Sequence, residues 1–309
     1  MEKFDEKPIV NAEQLSAVIC PLCESNFTYA FEKVHSFNFP LVYYQCRSCG
    51  FIFQDSKASQ AANTAFYEET YRKVYQATEA PTTKDMRIQR QRAENQVGFL
   101  KSQGIQSLKR FLDIGSSSGV LMDAFAVSFG AEVVGVEPGR VYRKVAQTRG
   151  LDIYPSLKTL IDNQPERFQL ISLMHVLEHL TDPLETLVKL RQILLAPDGY
   201  ILIEVPNFYA HDSYELAHLS CFTSHSLREM VRQAGFELIT IKRHGFPRSK
   251  LLPLYITVLA RRLQKEVKPT AVKPEQRVLL KRKVALFCRR VLEKVVPQLA
   301  WLPLTPEEK

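Results

Sequence analysis

Between Arg110 and Lys242 the sequence alternates short apolar runs with amphipathic segments, and this constrains the fold more than any other feature. The strand-like runs are Arg110-Phe-Leu-Asp-Ile, Glu132-Val-Val-Gly-Val-Glu, Leu151-Asp-Ile-Tyr, Phe168-Gln-Leu-Ile-Ser-Leu, Tyr200-Ile-Leu-Ile-Glu-Val and residues 236–242. Between them lie helical patterns at 120–129, 141–149, 183–194 and 226–234, the first, second and fourth stopped by Gly130, Gly150 and Gly235. Runs without clean polar alternation belong to strands covered on both faces, and strands separated by helices belong to a parallel sheet with crossover connections. The expectation is an α/β chain with a doubly wound, Rossmann-like sheet. Asp182, with Pro183 and Glu185 behind it, predicts a capping box at the start of the 183–194 helix.

The first strand runs into Asp113-Ile-Gly115-Ser116-Ser117-Ser-Gly119 and then a helix. Glycines in such a turn let the backbone approach a ligand at the helix N-terminus. The spacing is not the dinucleotide fingerprint, because Ser117 stands where its second glycine would be. A pyrophosphate needs uncovered backbone there; a nucleoside without phosphate tolerates serine. Glu137 ends the second strand 22 residues after Gly115, about where an acid accepts hydrogen bonds from ribose hydroxyls in such folds. Asp113 is placed to orient an ammonium group of the ligand. Ligands in open sheets bind outside the carboxyl ends of the strands, so His175, Glu178 and His179, after the fourth strand, belong to the same mouth.

Four of the six cysteines form two Cys-x-x-Cys pairs, Cys20/Cys23 and Cys46/Cys49. Two such knuckles supply four thiolates, which makes a closed structural zinc site the expectation. A redox pair or an iron site are the alternatives. A module of this size needs the metal to fold. The chain divides into a leader (1–18), a zinc-ribbon-like module (19–55), a tyrosine-rich linker or lid (56–84), the α/β domain (85–245) and a basic helical extension (246–309). In the linker, Tyr67, Tyr71 and Tyr75 share a helical face, with Arg72 available to an anion.

Charge is uneven. Residues 241–309 carry 17 Lys and Arg against 5 Asp and Glu, while residues 1–240 carry 24 against 28. An acidic body disfavours a nucleic-acid partner. Within 276–296, Leu280, Val284, Phe287, Val291 and Val295 recur at helical spacing among Lys and Arg. This fits packing on the domain or on a partner subunit, or peripheral contact with an anionic membrane. The apolar run at 251–263, too short to span a bilayer, adds to the membrane reading. The charged N-terminus has no signal-peptide core, so the chain is expected in the cytoplasm, with the inner face of the membrane as a second place. The sequence sets no oligomeric state.

Together Asp113-Ile-Gly-Ser-Ser-Ser-Gly119, Val134-Gly-Val-Glu137-Pro, His175-Val-Leu-Glu-His179-Leu-Thr-Asp-Pro and Pro197-Asp-Gly-Tyr-Ile-Leu-Ile-Glu-Val-Pro206 resemble class I S-adenosylmethionine-dependent methyltransferases. The resemblance implies S-adenosylmethionine as methyl donor, with Asp113, Gly115, Ser116, Gly119, Glu137 and His175 lining its pocket. The cysteine module and Glu215-Leu-Ala-His218-Leu-Ser-Cys221-Phe222 are similar to sugar C-methyltransferases, whose corresponding histidine is the proposed base. That likeness implies a sugar, nucleotide-sugar or lipid-linked glycan acceptor, methylated on oxygen or carbon, with His218 or His179 removing the proton. An RNA methyltransferase with a zinc recognition module and a catalytically idle zinc adaptor are the competing readings. The first lacks the Asn/Asp-Pro-Pro-aromatic motif for exocyclic amines, and the intact ligand loop argues against the second.

Overall fold

A computed structural model describes residues 18–36, 39–55, 81–163, 166–212, 214–264 and 270–302. The tyrosine face of Tyr67, Tyr71 and Tyr75, with Arg72, and nearly all of the leader lie outside the described residues.

The main sheet takes β4 (Arg110–Ile114), β5 (Glu132–Val136), β6 (Asp152–Tyr154), β7 (Phe168–Met174), β8 (Leu195–Pro206), β10 (Phe236–His244) and β11 (Tyr255–Arg262) in the order β10-β11-β8-β7-β4-β5-β6. The five strands from β4 to β8 run parallel, β11 is antiparallel to β8, and β10 is antiparallel to β11. β4, the central strand, is buried at all five positions. The strand order reverses beside β4, so its carboxyl end opens onto the crevice where such sheets bind ligands. Helices α1 (Thr83–Ser102), α2 (Val120–Phe129), α3 (Arg140–Thr148), α4 (Leu157–Asn163), α5 (Pro183–Lys189) and α6 (Ser224–Gln233) make up the helical part of the domain. The expected fold class holds.

Three local expectations change. Asp182 makes no side-chain cap; Pro183 starts α5 unaided, and Glu185 instead meets Lys189 one turn on, at 2.7 Å. The boundary at 245 falls inside the sheet, because β11 slots between β8 and β10. Its run from Tyr255 to Ala260 is buried throughout, so most of the apolar stretch at 251–263 is an interior strand and not a membrane-facing segment. Sequence alone could not separate these readings, since a short apolar run fits either. Finally, the cysteine module is not self-contained. β1 (Thr28–Ser36), β2 (Phe39–Cys46) and β3 (Ile52–Gln54) form an antiparallel sheet whose fourth strand, β9 (Ser220–Cys221), comes from the loop after β8.

The chain then returns to the module. The Glu275 amide donates to the Cys49 carbonyl at 2.9 Å, and α7 (Val278–Val295) follows, with a short α8 (Pro297–Ala300). No helix among the described residues is long and apolar enough to cross a membrane.

Candidate active site

The loop from Asp113 to Gly119 is built by backbone constraint. Gly115 and Gly119 have φ of 74° and 80°, and added Cβ atoms would lie 2.4 Å from Val176 and 2.2 Å from Leu151. Ser117 also adopts a left-handed φ of 51°, which costs about 1 kcal/mol without a glycine. Two interactions hold it there: its amide donates to Glu137 Oε2 at 2.9 Å, and its hydroxyl accepts from Gln89 Nε2 at 3.2 Å. The Gly139 amide donates to Glu137 Oε1 at 2.6 Å. Glu137 thus braces the loop from the end of β5.

Beneath the loop, Asp113 is buried and accepts the Ser172 hydroxyl at 2.6 Å. Burial pushes its carboxyl up to about 7, against the Ser172 hydrogen bond and with help from Glu137. A buried acid in this state suits a cationic ligand group, which would supply the missing counter-charge. Ser116 presents a buried hydroxyl with no protein partner. Helix α1 closes the loop from the side: the Ser118 hydroxyl donates to Gln89 Oε1 at 2.8 Å and touches the Met86 sulfur. A Thr82/Asp85 capping box fixes the start of α1. Gln89 and Met86 carry no motif, and nothing in the sequence marked them.

Beyond the loop lies a cluster of histidines. His175, with a φ of 56°, follows β7; its Nε2 lies 3.0 Å from Glu204 Oε1 and its Nδ1 3.5 Å from Glu178 Oε1. Burial and nearby Arg92 push this imidazole down, but the carboxylates of Glu178 and Glu204 prevail and raise it. Glu204 also accepts from Gln96 Nε2 at 2.5 Å and from Thr257 Oγ1 at 3.0 Å, and lies 3.2 Å from His244 Nε2. Burial opposes its charge, yet these partners hold it well below the usual carboxylate range. Glu178 behaves likewise: burial is overcome by His175, His179 and His218, which hold it at about 2. The ring of Tyr255 packs edge-on to His175 at 5.1 Å. His175, expected in the donor pocket, is engaged by the carboxylates of Glu178 and Glu204.

His179 and His218 come together although 39 residues separate them, their ring centres 5.0 Å apart. His179 Nδ1 donates to the Ala217 carbonyl at 2.8 Å, which leaves its Nε2 as the acceptor. His218 is pushed down to about 4, mainly by burial, with His179 and His175 adding to the effect and Glu178 opposing it. It is therefore a neutral imidazole at physiological pH. Val176, in van der Waals reach of Gly115, joins this cluster to the donor loop.

The module grips the loop that carries His218. Gln54 Nε2 donates to the carbonyls of His218 at 2.8 Å and Glu215 at 3.0 Å, and Tyr43 Oη donates to the Glu215 carbonyl at 2.8 Å. The Gln54 amide donates to the Leu219 carbonyl at 2.8 Å, and Tyr43 packs on Tyr214 at 4.6 Å. Within the module, Cys20 and Cys49 sulfurs lie 3.6 Å apart, as do those of Cys23 and Cys46, and all four sit within 4.8 Å of one another. A tetrahedron with metal–sulfur bonds of about 2.3 Å has sulfurs about 3.8 Å apart. The four thiols fit such an ion.

Comparison with known proteins agrees with this geometry. The family model described as a methyltransferase domain matches residues 86–241, and the chain belongs to that family. The ubiquinone biosynthesis O-methyltransferase of Actinobacillus pleuropneumoniae serotype 5b (strain L20) is 36% identical over 110 residues, which cover 32% of this chain and 46% of that protein. Its Bordetella bronchiseptica counterpart is 31% identical over 111 residues, covering 34% and 45%. The chain therefore spans about half the length of these curated relatives. Among solved structures, the 1,6-didemethyltoxoflavin-N1-methyltransferase of Burkholderia thailandensis, holding 1,6-didemethyltoxoflavin and S-adenosylhomocysteine, superposes with a TM-score of 0.50. At 18% identity, over 75% of this chain and 99% of that one, it shares the fold.

Proposed function

We propose that this chain is an S-adenosylmethionine-dependent O-methyltransferase whose acceptor hydroxyl enters between the donor loop and the His179/His218 pair. The juxtaposition of those two imidazoles beside the Asp113–Gly119 loop carries the reading. When bound, the donor supplies a methyl group made electrophilic by its sulfonium. Glu137 would hold the ribose hydroxyls, Asp113 the ammonium group, and Ser116 with the Gly119 turn would line the pocket. Methyl transfer needs in-line alignment and, for a hydroxyl acceptor, loss of one proton. His218 is neutral at physiological pH, and His179 turns its Nε2 away from the Ala217 carbonyl, so each offers a ring nitrogen that can take it. His218 is the first choice, because the module fixes its backbone through Gln54 and Tyr43.

Oxygen is favoured over carbon as the acceptor atom by the O-methyltransferase relatives. A sugar or glycan acceptor rests on the likeness of the 215–222 segment to sugar methyltransferases and on the cysteine module before the domain. The module would hold one structural zinc through Cys20, Cys23, Cys46 and Cys49, and through β9 it would stiffen the acceptor side. Incubation with methyl-labelled donor and a panel of nucleotide sugars, glycolipids and catechols tests the reading. Labelled ether formed on one class, and lost in His218→Asn or His179→Asn, is the expected result. No transfer to any hydroxyl, or label recovered on carbon or nitrogen, would overturn it.

A further inference from the structure

Helix α7 is inside out. Its protein-facing side is held by charged residues: Arg282, 5% exposed, donates to the Phe208 carbonyl and stacks over the rings of Phe208 and Tyr214 at 4.1 and 4.9 Å. Arg289 donates to the Ala210 carbonyl and pairs with Glu293 at 2.8 Å. Val278 at its start is buried, but five apolar residues beyond it point the other way. Leu280, Val284, Phe287, Val291 and Val295 are 56, 56, 68, 43 and 70% exposed. At 100° per residue they fill one continuous arc of about 80°. A stripe of this kind on a helix of 18 residues is a contact face, because leaving it in water forgoes the burial that fixes most amphipathic helices.

The charges around the stripe say what meets it. Lys283, Arg290 and Lys294 are exposed along one edge and make no ion pair among the described residues; Lys281, on the other edge, reaches Glu275 at 3.3 Å. The helix carries a single acid, Glu293, and that faces the protein through Arg289. Two copies apposed through this stripe would bring cation against cation. A surface with an apolar interior and an anionic rim satisfies both the stripe and its edge.

We propose that α7 docks the protein on an anionic lipid bilayer, lying in the interface with Phe287 and its neighbours toward the acyl chains and Lys283, Arg290 and Lys294 among the headgroups. This is interfacial binding by a helix already folded and anchored, so no ordering cost attends it. It would hold the enzyme at a lipid surface whatever the acceptor.

Co-sedimentation of the full chain with vesicles tests this without any acceptor. Vesicles of equal parts phosphatidylglycerol and phosphatidylcholine should carry the protein down, phosphatidylcholine alone should not, and added salt should release it. The triple variant Lys283→Glu/Arg290→Glu/Lys294→Glu should lower partitioning by roughly 100-fold, and Phe287→Ser/Val291→Ser by at least about 10-fold. Both sets of side chains are exposed, so melting temperatures should stay at the wild-type value. Failure to sediment with the anionic vesicles, or equal binding by wild type and both variants, overturns the proposal. So does light scattering that shows a dimer broken by Phe287→Ser/Val291→Ser, which would make the stripe an interface between copies.

Discussion

The proposed donor side and the proposed acceptor side are built in opposite ways. The donor loop is local: Asp113, Ser116, Gly119 and Glu137 lie within 25 residues on two adjacent parallel strands and the turns after them. The acceptor side is assembled from five separate stretches, with Tyr43 and Gln54 from the module, Gln96 from α1, Glu178 and His179 after β7, Glu204 on β8, and His218 on a loop that the module pins. A local site is held mainly by its own turn, here braced by Gln89 of α1 and Ser172 of β7. An assembled one is only as good as the packing that brings its parts together, so it should fail when a distant part is removed.

The largest effect that would test this contrast is on turnover. General-base help is typically worth ~10²–10⁴-fold, so His218→Asn, or His179→Asn if the roles are exchanged, should lower kcat by that order. Calorimetric binding of S-adenosylhomocysteine should be unchanged. Near-full turnover in both variants would mean that alignment alone carries the reaction.

Next comes the module. Elemental analysis should find one zinc per chain in the wild type and none in Cys46→Ser/Cys49→Ser. With the Gln54 and Tyr43 contacts loosened, kcat should fall by ~100-fold while donor affinity holds to within about 2-fold. Loss of donor binding in step with turnover would show that the two sides are not separable. Zinc retained by that variant, or absent from wild type purified in reductant, would remove the metal from the account.

A third, smaller change falls on the donor side alone. Glu137→Ala removes a charge-assisted hydrogen bond worth ~1.5–3 kcal/mol, hence roughly a 10- to 150-fold weaker donor. The histidine cluster should keep its pH behaviour.

The smallest effects are titrations. Asp113, raised to about 7 in the free protein, must ionise to meet a cationic ligand. Donor affinity should therefore fall as pH drops below about 7, by no more than about tenfold per unit, and Asp113→Asn should flatten the profile. His218 and His211 are both pushed down to about 4, chiefly by burial. An unfolded chain would protonate them from about pH 6.5 downward while the folded one resists. Stability is thus lost as pH falls from about 6.5 to about 4, by on the order of 3 kcal/mol per histidine. Melting curves of His218→Asn across that range should show a shallower slope than wild type.

Much of this was legible in the residues because it is local. Apolar runs covered on both faces can only be interior strands, so the alternation from Arg110 to Lys242 dictates a parallel sheet. Gly115 and Gly119 mark a turn whose φ values and clashes with Val176 and Leu151 admit no ordinary side chain. Two Cys-x-x-Cys pairs place four sulfurs on two knuckles whatever lies between them. What the sequence left open depends on long-range packing. The apolar run at 251–263 reads equally as surface or interior until β11 is seen between β8 and β10. The module looked independent until Ser220 and Cys221 supplied its fourth strand. The outward stripe of α7 appeared only once Arg282 and Arg289 were found holding the other side. Side chains 39 and more residues apart, such as His179 with His218 or Gln54 with the His218 carbonyl, meet because hydrogen-bonded sheets fix where loops end. Spacing along the chain holds no record of that.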